Sequence, residues 1–482
     1  MRTPSALYPS LLLAFTLAAP ACAGAQTPPA RGIVRIDPAE LARMMDSVVP
    51  AAMAERQIPG AVVTVVQDGR VLLSRGYGYA DVERGRRVSP DSTVFQIGSI
   101  SKVFTATAVV QLADRGRIRL DQDVNRYLRR TRVPDAFAAP VTPWHLLTHS
   151  AGFDELPGRL VREDTAHVLP LARFLSADRL VRVHPPGELP SYSSYTAALA
   201  GLLVEEVSGM EYERYLACGV WGPLGMSRTQ VTVPEWLRAD ASRAYEVDSG
   251  RVVAVPWERY HTPPSSSISS TGADMGRFMT ALLQEGRLGD ARILTDTAVR
   301  AMLSRQATLH PRLPGWGLGI QEADTHGERI WEHGGDVAGF SSLMVLLPDH
   351  ELGVFVAGHR EGSDLRWVVR RALLNRWFPD RRTITVPPPD PAAVARLRRL
   401  EGTYRGATYC HTCPPDQQRV DDVVVTVRDD GALMVWDEPW IEVEPLFFRS
   451  PDGTRRFGFH EDAAGRITAM TVGSWMVLEK LP

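Results

Sequence analysis

Strand-forming runs stand at both ends of a long helix-rich section, and this arrangement restricts the fold more than any other feature of the chain. At the first end Ala61 to Val66 is mostly β-branched, Asp68-Gly69 is a turn signal, and Val71 to Leu73 resumes the strand, so a hairpin is expected. At the other end Arg329 to Glu332, Ser342 to Leu347 and Gly353 to Ala357 are three strand candidates with tight turns between them. The middle, from about 120 to 310, is rich in helix and loop patterns with no clean strand alternation. Strands so far apart can share one antiparallel sheet. A helix capped by Asp37-Pro38, with Leu41, Met44, Met45, Val48 and Ala52 on one face, and another from about Ser363 to Trp377 would cover it. The middle section then forms a helical lobe, and the cleft between lobe and sheet is the natural place for a site. The expected fold class is α/β (α+β): an antiparallel sheet flanked by helices, a helical lobe, and a small C-terminal β-domain.

The chain of 482 residues divides on these patterns into five parts. Residues 1–25 read as a signal peptide: Arg2 supplies the positive start, Leu11 to Ala19 the short apolar run, and Ala23-Gly24-Ala25 the cleavage pattern before Gln26. Cys22 lies inside it, but Ala19 stands where a lipoprotein signal would carry a leucine-like residue, so lipid anchoring is not the expectation. A leader over 26–38 precedes a main domain over 39–380. Val386-Pro387-Pro388-Pro389-Asp390-Pro391 marks a stiff linker over 381–397, and short alternating runs with Asp-Gly-type turns over 398–482 indicate the β-rich accessory domain, in outline a barrel. No later run is long enough to span a bilayer, so the expectation is an exported protein, periplasmic or extracellular, with no membrane span.

Composition excludes several classes of function. Lys plus Arg is 54 and Asp plus Glu is 56, a net charge of -2. That is no footprint for a nucleic acid or an anionic membrane surface. Four cysteines rule out a disulfide scaffold. Cys410-His411-Thr412-Cys413 is a lone CxxC, which in an exported protein reads as a local disulfide rather than a zinc site. Cys218 reads as a buried free thiol. His145 and His149 lie four apart, but no glutamate follows the first as in a metalloprotease, so structural roles are expected and no metal or cofactor is assigned. No Gly-x-Ser-x-Gly elbow and no phosphate-cradling loop occur.

One detail of the charge matters for chemistry. Only Lys102 and Lys480 are lysines, and every other basic residue is arginine. A chain that uses arginine for generic positive charge retains lysine where a removable proton is needed. Lys102 closes Ser99-Ile100-Ser101-Lys102, which follows the apolar stretch Phe95-Gln96-Ile97-Gly98 and opens a helix. Ser99 and Lys102 then share one face near a helix N-terminus, where a desolvated amine can take the serine proton. Tyr192-Ser193-Ser194 offers a phenol that an adjacent lysine can tune into a base. His333-Gly334-Gly335, at a strand end, offers edge N–H groups and glycines that let another group come close to the backbone. Taken singly, the last two read rather as a packed loop tyrosine and a turn histidine.

Together, in order and spacing, these three motifs resemble those of the serine β-lactamase and penicillin-binding superfamily. The branch most similar is the class C β-lactamase-related group of DD-carboxypeptidases, D-aminopeptidases and esterases. Leu120 to Leu128, Leu146 to Gly152, Gly315-Trp316-Gly317-Leu318-Gly319 and Gly339-Phe340-Ser341-Ser342 add to the resemblance, which covers about residues 39 to 378. The resemblance implies that Ser99 is the acylated nucleophile, that Lys102 helps remove its proton, and that Tyr192 relays protons and activates the deacylating water. It places Ser194, His333, Gly335 and Asp336 at the substrate, with the N–H groups of Ser99 and Asp336 as the oxyanion hole. Ser194 stands where the family commonly has asparagine, and His333 where dedicated β-lactamases have the lysine of Lys-Thr-Gly. His333 is largely neutral near pH 7, and Asp336 adds negative charge. Both departures point to a peptidase or esterase acting on a small-molecule or peptide substrate, cell-wall peptide among them. A true class C-type β-lactamase and a catalytically impaired ligand-binding protein of the same fold are the alternatives.

Overall fold

The computed structural model describes residues 32–156, 160–161, 168–176, 179–418, 422–474 and 476–482. The expected signal peptide, Cys22 included, and the first part of the leader lie outside the described residues. Strands from both ends of the main domain do join one sheet. Its seven strands run in the order Gln321–Thr325, Glu328–Val337, Phe340–Leu347, Leu352–His359, Gly60–Gln67, Arg70–Asp81 and Arg86–Arg87, with every pairing antiparallel. The first strand lies beside the last long one, Val63 opposite Val356.

The near-continuous apolar runs have a direct cause. All eight residues of Gly60–Gln67, Phe340–Leu347 and Leu352–His359 are buried, because both faces of the sheet are covered. Ala61, Val63 and Val65 face a core made with Leu41, Met45 and Val49 of the Pro38–Arg56 helix and Val369 and Leu373 of the Leu365–Trp377 helix. Val62 and Val66 face the opposite core, where Phe104 of the Ser101–Asp114 helix stacks on Phe278 of the Gly272–Leu283 helix at 4.1 Å. The Asp68-Gly69 turn has positive φ at both residues, 51° and 72°, the backbone that a two-residue hairpin of this twist requires.

Three features differ from the sequence reading. The strands after residue 320 are longer, and an edge strand, Gln321–Thr325, precedes them. Ala244–Asp248 and Arg251–Val255 form a hairpin inside the section read as strandless. Both of its strands are at most half-buried over much of their length, so no alternating pattern was imposed on them. Cys218 is exposed rather than buried, because it sits on a single π-helical turn, Ala217–Trp221, that buries Val220 and Trp221 instead.

The C-terminal strands close into an eight-stranded barrel, sealed where Gly402–Gly406 pairs with Met476–Lys480. Its core holds Tyr404, Trp440, Phe448, Phe457 and Phe459. Ala393 and Leu397, on short helical turns at the end of the Pro-rich stretch, pack into the same core. Lys480 donates from Nζ to Arg399 O at 2.8 Å and thus belongs to the barrel seam. Among the described residues no helix is long and apolar enough to cross a membrane.

Buried histidines make stability depend on acid. His359 lies among the rings of Phe95, Phe340 and Tyr245, and burial, aided by Arg86, pushes its pKa down to about 3. Burial likewise lowers His145 and His333 to about 4. Between these values and the unfolded value of about 6.5 the unfolded chain binds more protons than the folded one. This part of the stability is therefore complete above about pH 6.5 and is lost as pH falls toward 4. Thermal melts from pH 7 to 4 should show a steady fall in Tm, and His359→Phe should make the fall shallower. An identical slope in that variant would contradict the assignment.

Candidate active site

Ser99 lies in a one-turn 3-10 helix, Gly98–Ile100, that runs directly into the Ser101–Asp114 helix. The turn is held from several sides. Ser101 Oγ donates to Gly98 O at 2.6 Å and accepts from Ile268 N at 3.0 Å. Ser342 Oγ donates to Ile97 O at 2.8 Å. Gly98 has φ +52°, and a Cβ there would lie 2.8 Å from Asp336 N. Only glycine serves at this position.

Lys102 is 3% exposed, yet its amine is well placed. Nζ donates to Ser99 Oγ at 3.1 Å and to Ser265 O at 3.0 Å, and it lies 4.8 Å from the centroid of the Tyr192 ring. The helix brings Ser99 and Lys102 together by spacing alone; Ser265 and Tyr192 arrive through the tertiary fold. Ser265 comes from the short Pro263–Ser266 helix, whose sequence carries no signal for this role.

Tyr192 is positioned by aromatic stacking and by the barrel. Its ring stacks on His149 at 4.5 Å, with Trp316 at 6.1 Å and His333 at 6.3 Å. His149 in turn accepts at Nδ1 from Ser193 N at 3.3 Å and contacts Thr196 Oγ1 at 3.0 Å. Burial and the nearby Lys102 hold its pKa well below the ordinary value, so it is a neutral platform. Tyr192 N donates to Thr408 Oγ1 at 3.1 Å and Ser191 Oγ to Ala407 O at 2.8 Å, both acceptors belonging to the C-terminal domain. Ser194, 3% exposed, opens the Ser194–Ser208 helix, and its N–H donates to Glu155 Oε2 at 2.9 Å. Glu155 and Thr408 were not foreseen, because neither carries a local pattern. His149 and Trp316 fall inside stretches the sequence singled out.

The strand Glu328–Val337 supplies the third wall. His333 and Gly335 share the buried face, whereas Asp336 points to the other side by strand alternation. The Asp336 carboxylate is bound there by Arg366 Nη2 at 2.6 Å, Ser341 Oγ at 3.0 Å and Gly362 N at 2.9 Å. Its charge is thus matched by Arg366, and the geometry does not carry the expectation that it repels an anionic substrate. Only its backbone reaches the Ser99 turn. His333 Nδ1 pairs with Gly334 O at 2.7 Å, which makes Nδ1 the protonated nitrogen of the neutral ring. Burial and the Lys102 charge lower its pKa to about 4. Nε2 is then an acceptor, and it is buried with no hydrogen-bond partner among the described residues.

Glycine at 335 serves the protein before it serves any ligand. A Cβ there would lie 2.0 Å from Ile97 O and 2.9 Å from Ser99 N, so the strand runs directly against the Ser99 turn. Gly335→Ala should push the two apart by roughly an ångström and lower kcat/KM by about 100-fold with the fold retained. Steady-state kinetics beside a thermal melt checks this, and unchanged kinetics would show that the close approach is dispensable.

Comparison with known proteins gives the family and the fold. A family model described as "Beta-lactamase" matches residues 45–375. Penicillin-binding protein 4 of Amycolatopsis lactamdurans is 31% identical over 378 residues, covering 73% of this chain and 95% of its own length. Protein flp of Staphylococcus aureus strain MW2 is 25% identical over 321 residues, covering 65% of this chain, and the match spans only 62% of that relative. Among solved structures, the octameric penicillin-binding protein homologue from Pyrococcus abyssi superimposes with TM-score 0.62 at 23% identity, covering 92% of this chain and all of that one. SurE gives 0.65 at 22%, covering 92% and 99%. These last two attest to the fold, including coverage that extends into the C-terminal domain. The chain belongs to the β-lactamase family, within the serine hydrolase superfamily that includes the penicillin-binding proteins.

Proposed function

We propose that this protein is an exported serine hydrolase that forms an acyl-enzyme on Ser99 and acts on amide, peptide or ester substrates, peptides of D-amino acids among them. The observation that carries this reading is the buried Lys102 amine 3.1 Å from Ser99 Oγ. In the first step the Ser99 proton passes to the Lys102 and Tyr192 pair as Oγ bonds to the substrate carbonyl carbon. The carbonyl oxygen gains the negative charge and is received by the N–H groups of Ser99 and Asp336, which the close packing of Gly98 and Gly335 brings near each other. Collapse breaks the bond to the amine or alcohol, which leaves with the proton. Water, activated by Tyr192, then attacks the ester and restores Ser99.

Substrate preference follows from His333. A neutral ring with Nε2 as acceptor suits a substrate N–H or O–H and offers no cation to a carboxylate. This supports a peptidase or esterase over an efficient β-lactamase. The relative named as a penicillin-binding protein supports β-lactams as acylating probes. Export is supported by the pattern of residues 1–25 and by the Cys410–Cys413 disulfide, a bond that persists in oxidising compartments.

The test is labelling with a fluorophosphonate and with a fluorescent penicillin, followed by peptide mapping. The adduct is expected on Ser99; no adduct with either reagent would remove the acyl-enzyme reading. A panel of p-nitrophenyl esters, D-amino amides, D-Ala-D-Ala peptides and nitrocefin should give a higher kcat/KM for one of the first three than for nitrocefin. Nitrocefin as the best substrate would return the protein to the β-lactamases proper.

A further inference from the structure

A second cluster of chemically capable side chains lies where the C-terminal barrel meets the hydrolase domain. His184 comes from the hydrolase domain, its backbone N–H donating to Gly152 O at 3.3 Å. His411 sits inside the loop closed by the Cys410–Cys413 disulfide, and Glu479 is on the last barrel strand, Met476–Lys480. His184 Nε2 and His411 Nε2 are 3.3 Å apart, His184 Nε2 and Glu479 Oε2 3.5 Å, and His411 Nε2 and Glu479 Oε1 3.2 Å. We propose that these three residues bind one divalent transition-metal ion, zinc by its donor set, which clasps the barrel to the hydrolase domain.

The geometry supports the assignment on three counts. Metal–ligand bonds of about 2.0–2.1 Å in a tetrahedral site place neighbouring ligand atoms about 3.3–3.4 Å apart. The two Nε2 atoms stand 3.3 Å apart, and the Glu479 carboxylate turns Oε2 to one imidazole and Oε1 to the other, with one ligand atom from each of the three residues within 4.8 Å of the others. Two imidazoles and a carboxylate select a transition metal over calcium or magnesium. The ring of His411 is also held as metal-bound histidines are held. Its Nδ1 faces Asp154 Oδ1 at 3.3 Å and Tyr409 O at 3.1 Å, which leaves Nε2 turned toward the cluster, and the Tyr409 ring stacks on it at 3.8 Å. Asp154 is itself fixed by His411 N at 2.7 Å and by Thr412 Oγ1 at 2.6 Å. The side chains of His184, His411 and Glu479 are 13%, 14% and 17% exposed, open enough for an ion to enter and for water to complete the fourth position.

Charge points the same way. Two carboxylates face the two imidazoles, Glu479 within the cluster and Asp154 behind His411, so the charge of a divalent cation is matched there. The residues lie far apart in the chain and follow no spacing rule, so the sequence gives no hint of the site. The Cys410 and Cys413 sulfurs are bonded to each other and take no part as ligands.

The experiment uses the full chain, stripped with a chelator, re-equilibrated with zinc sulfate, and passed through gel filtration before metal analysis. Cys218→Ser is included because Cys218 is an exposed thiol. One zinc per chain is expected in the wild type and in Cys218→Ser, with a zinc-dependent rise in Tm. His184→Ala and Glu479→Gln should each weaken zinc binding at least about tenfold and abolish that rise. Cobalt(II) added to the stripped wild type should give the visible absorption of a tetrahedral site without a thiolate charge-transfer band. Zinc-free wild-type protein with an unchanged Tm would mean that the cluster is a proton-held ion pair only. Equal zinc retention by wild type, His184→Ala and Glu479→Gln would place the ion elsewhere. Either result overturns the proposal.

Discussion

Ser99→Ala is expected to abolish turnover while the protein stays folded. Removing a nucleophile of this kind costs on the order of 10⁴–10⁶ in kcat, because the remaining groups can bind and polarise a carbonyl but cannot form the acyl bond. The fold should tolerate the change well. The bonds that hold the turn come from Ser101 and Ser342, and the Ser99 hydroxyl pairs with Lys102 instead. The variant should therefore melt close to wild type, bind ligands in the cleft, and give no adduct with a fluorophosphonate. Residual activity within tenfold of wild type, measured with the best ester or amide of the panel, would show that Ser99 is not the nucleophile.

Lys102→Arg is the sharper case, since it keeps the positive charge and removes the removable proton. A guanidinium stays charged in proteins and cannot act as proton acceptor. General acid–base catalysis contributes about 10²–10⁴, so acylation should slow by roughly 10³-fold. The larger planar head must also fit where a 3% exposed amine lies between Ser99 Oγ, Ser265 O and the Tyr192 ring. Overpacking of this kind costs about 1–3 kcal/mol, enough to lower Tm by several degrees without unfolding a domain of this size. Burst kinetics with a chromogenic ester separates acylation from deacylation, and a thermal melt reports the fold. Acylation at the wild-type rate would mean that Lys102 contributes charge alone. Lys480→Arg is the control: that lysine binds the barrel seam at Arg399 O, and its replacement should leave acylation unchanged.

The two lysines show how far reading the chain can go. Their scarcity marked both as unusual, and the serine one helical turn before Lys102 singled that one out. Helical spacing is a local rule, so the Ser99–Lys102 pair was legible. The Asp68-Gly69 hairpin and the Asp37-Pro38 helix start were legible for the same reason, since each depends on the backbone preferences of neighbouring residues. The Ala244–Val255 hairpin was not, because its half-exposed strands impose no alternation. Cys218 was misread because exposure is decided by which side of one short helical turn meets the core. At the site, the facing of Asp336 depends on strand register, and its charge is matched by Arg366 from a helix on the other side of the sheet.

Sequence alone therefore determined the elements whose cause lies within a few residues: the hairpin, the capped helices, the adjacent Ser99-x-x-Lys102 pair and, through the order of its motifs, the family. Tertiary structure decided everything that requires distant segments to meet. It put Tyr192 over the Lys102 amine on a His149 platform, pressed Gly335 against the Ser99 turn, turned the Asp336 carboxylate away, and gathered His184, His411 and Glu479 at the domain boundary. The reason is physical: backbone preference and helical period act over one or two turns of chain, whereas contact between remote segments is settled by burying both faces of the sheet at once, which no short stretch of residues encodes.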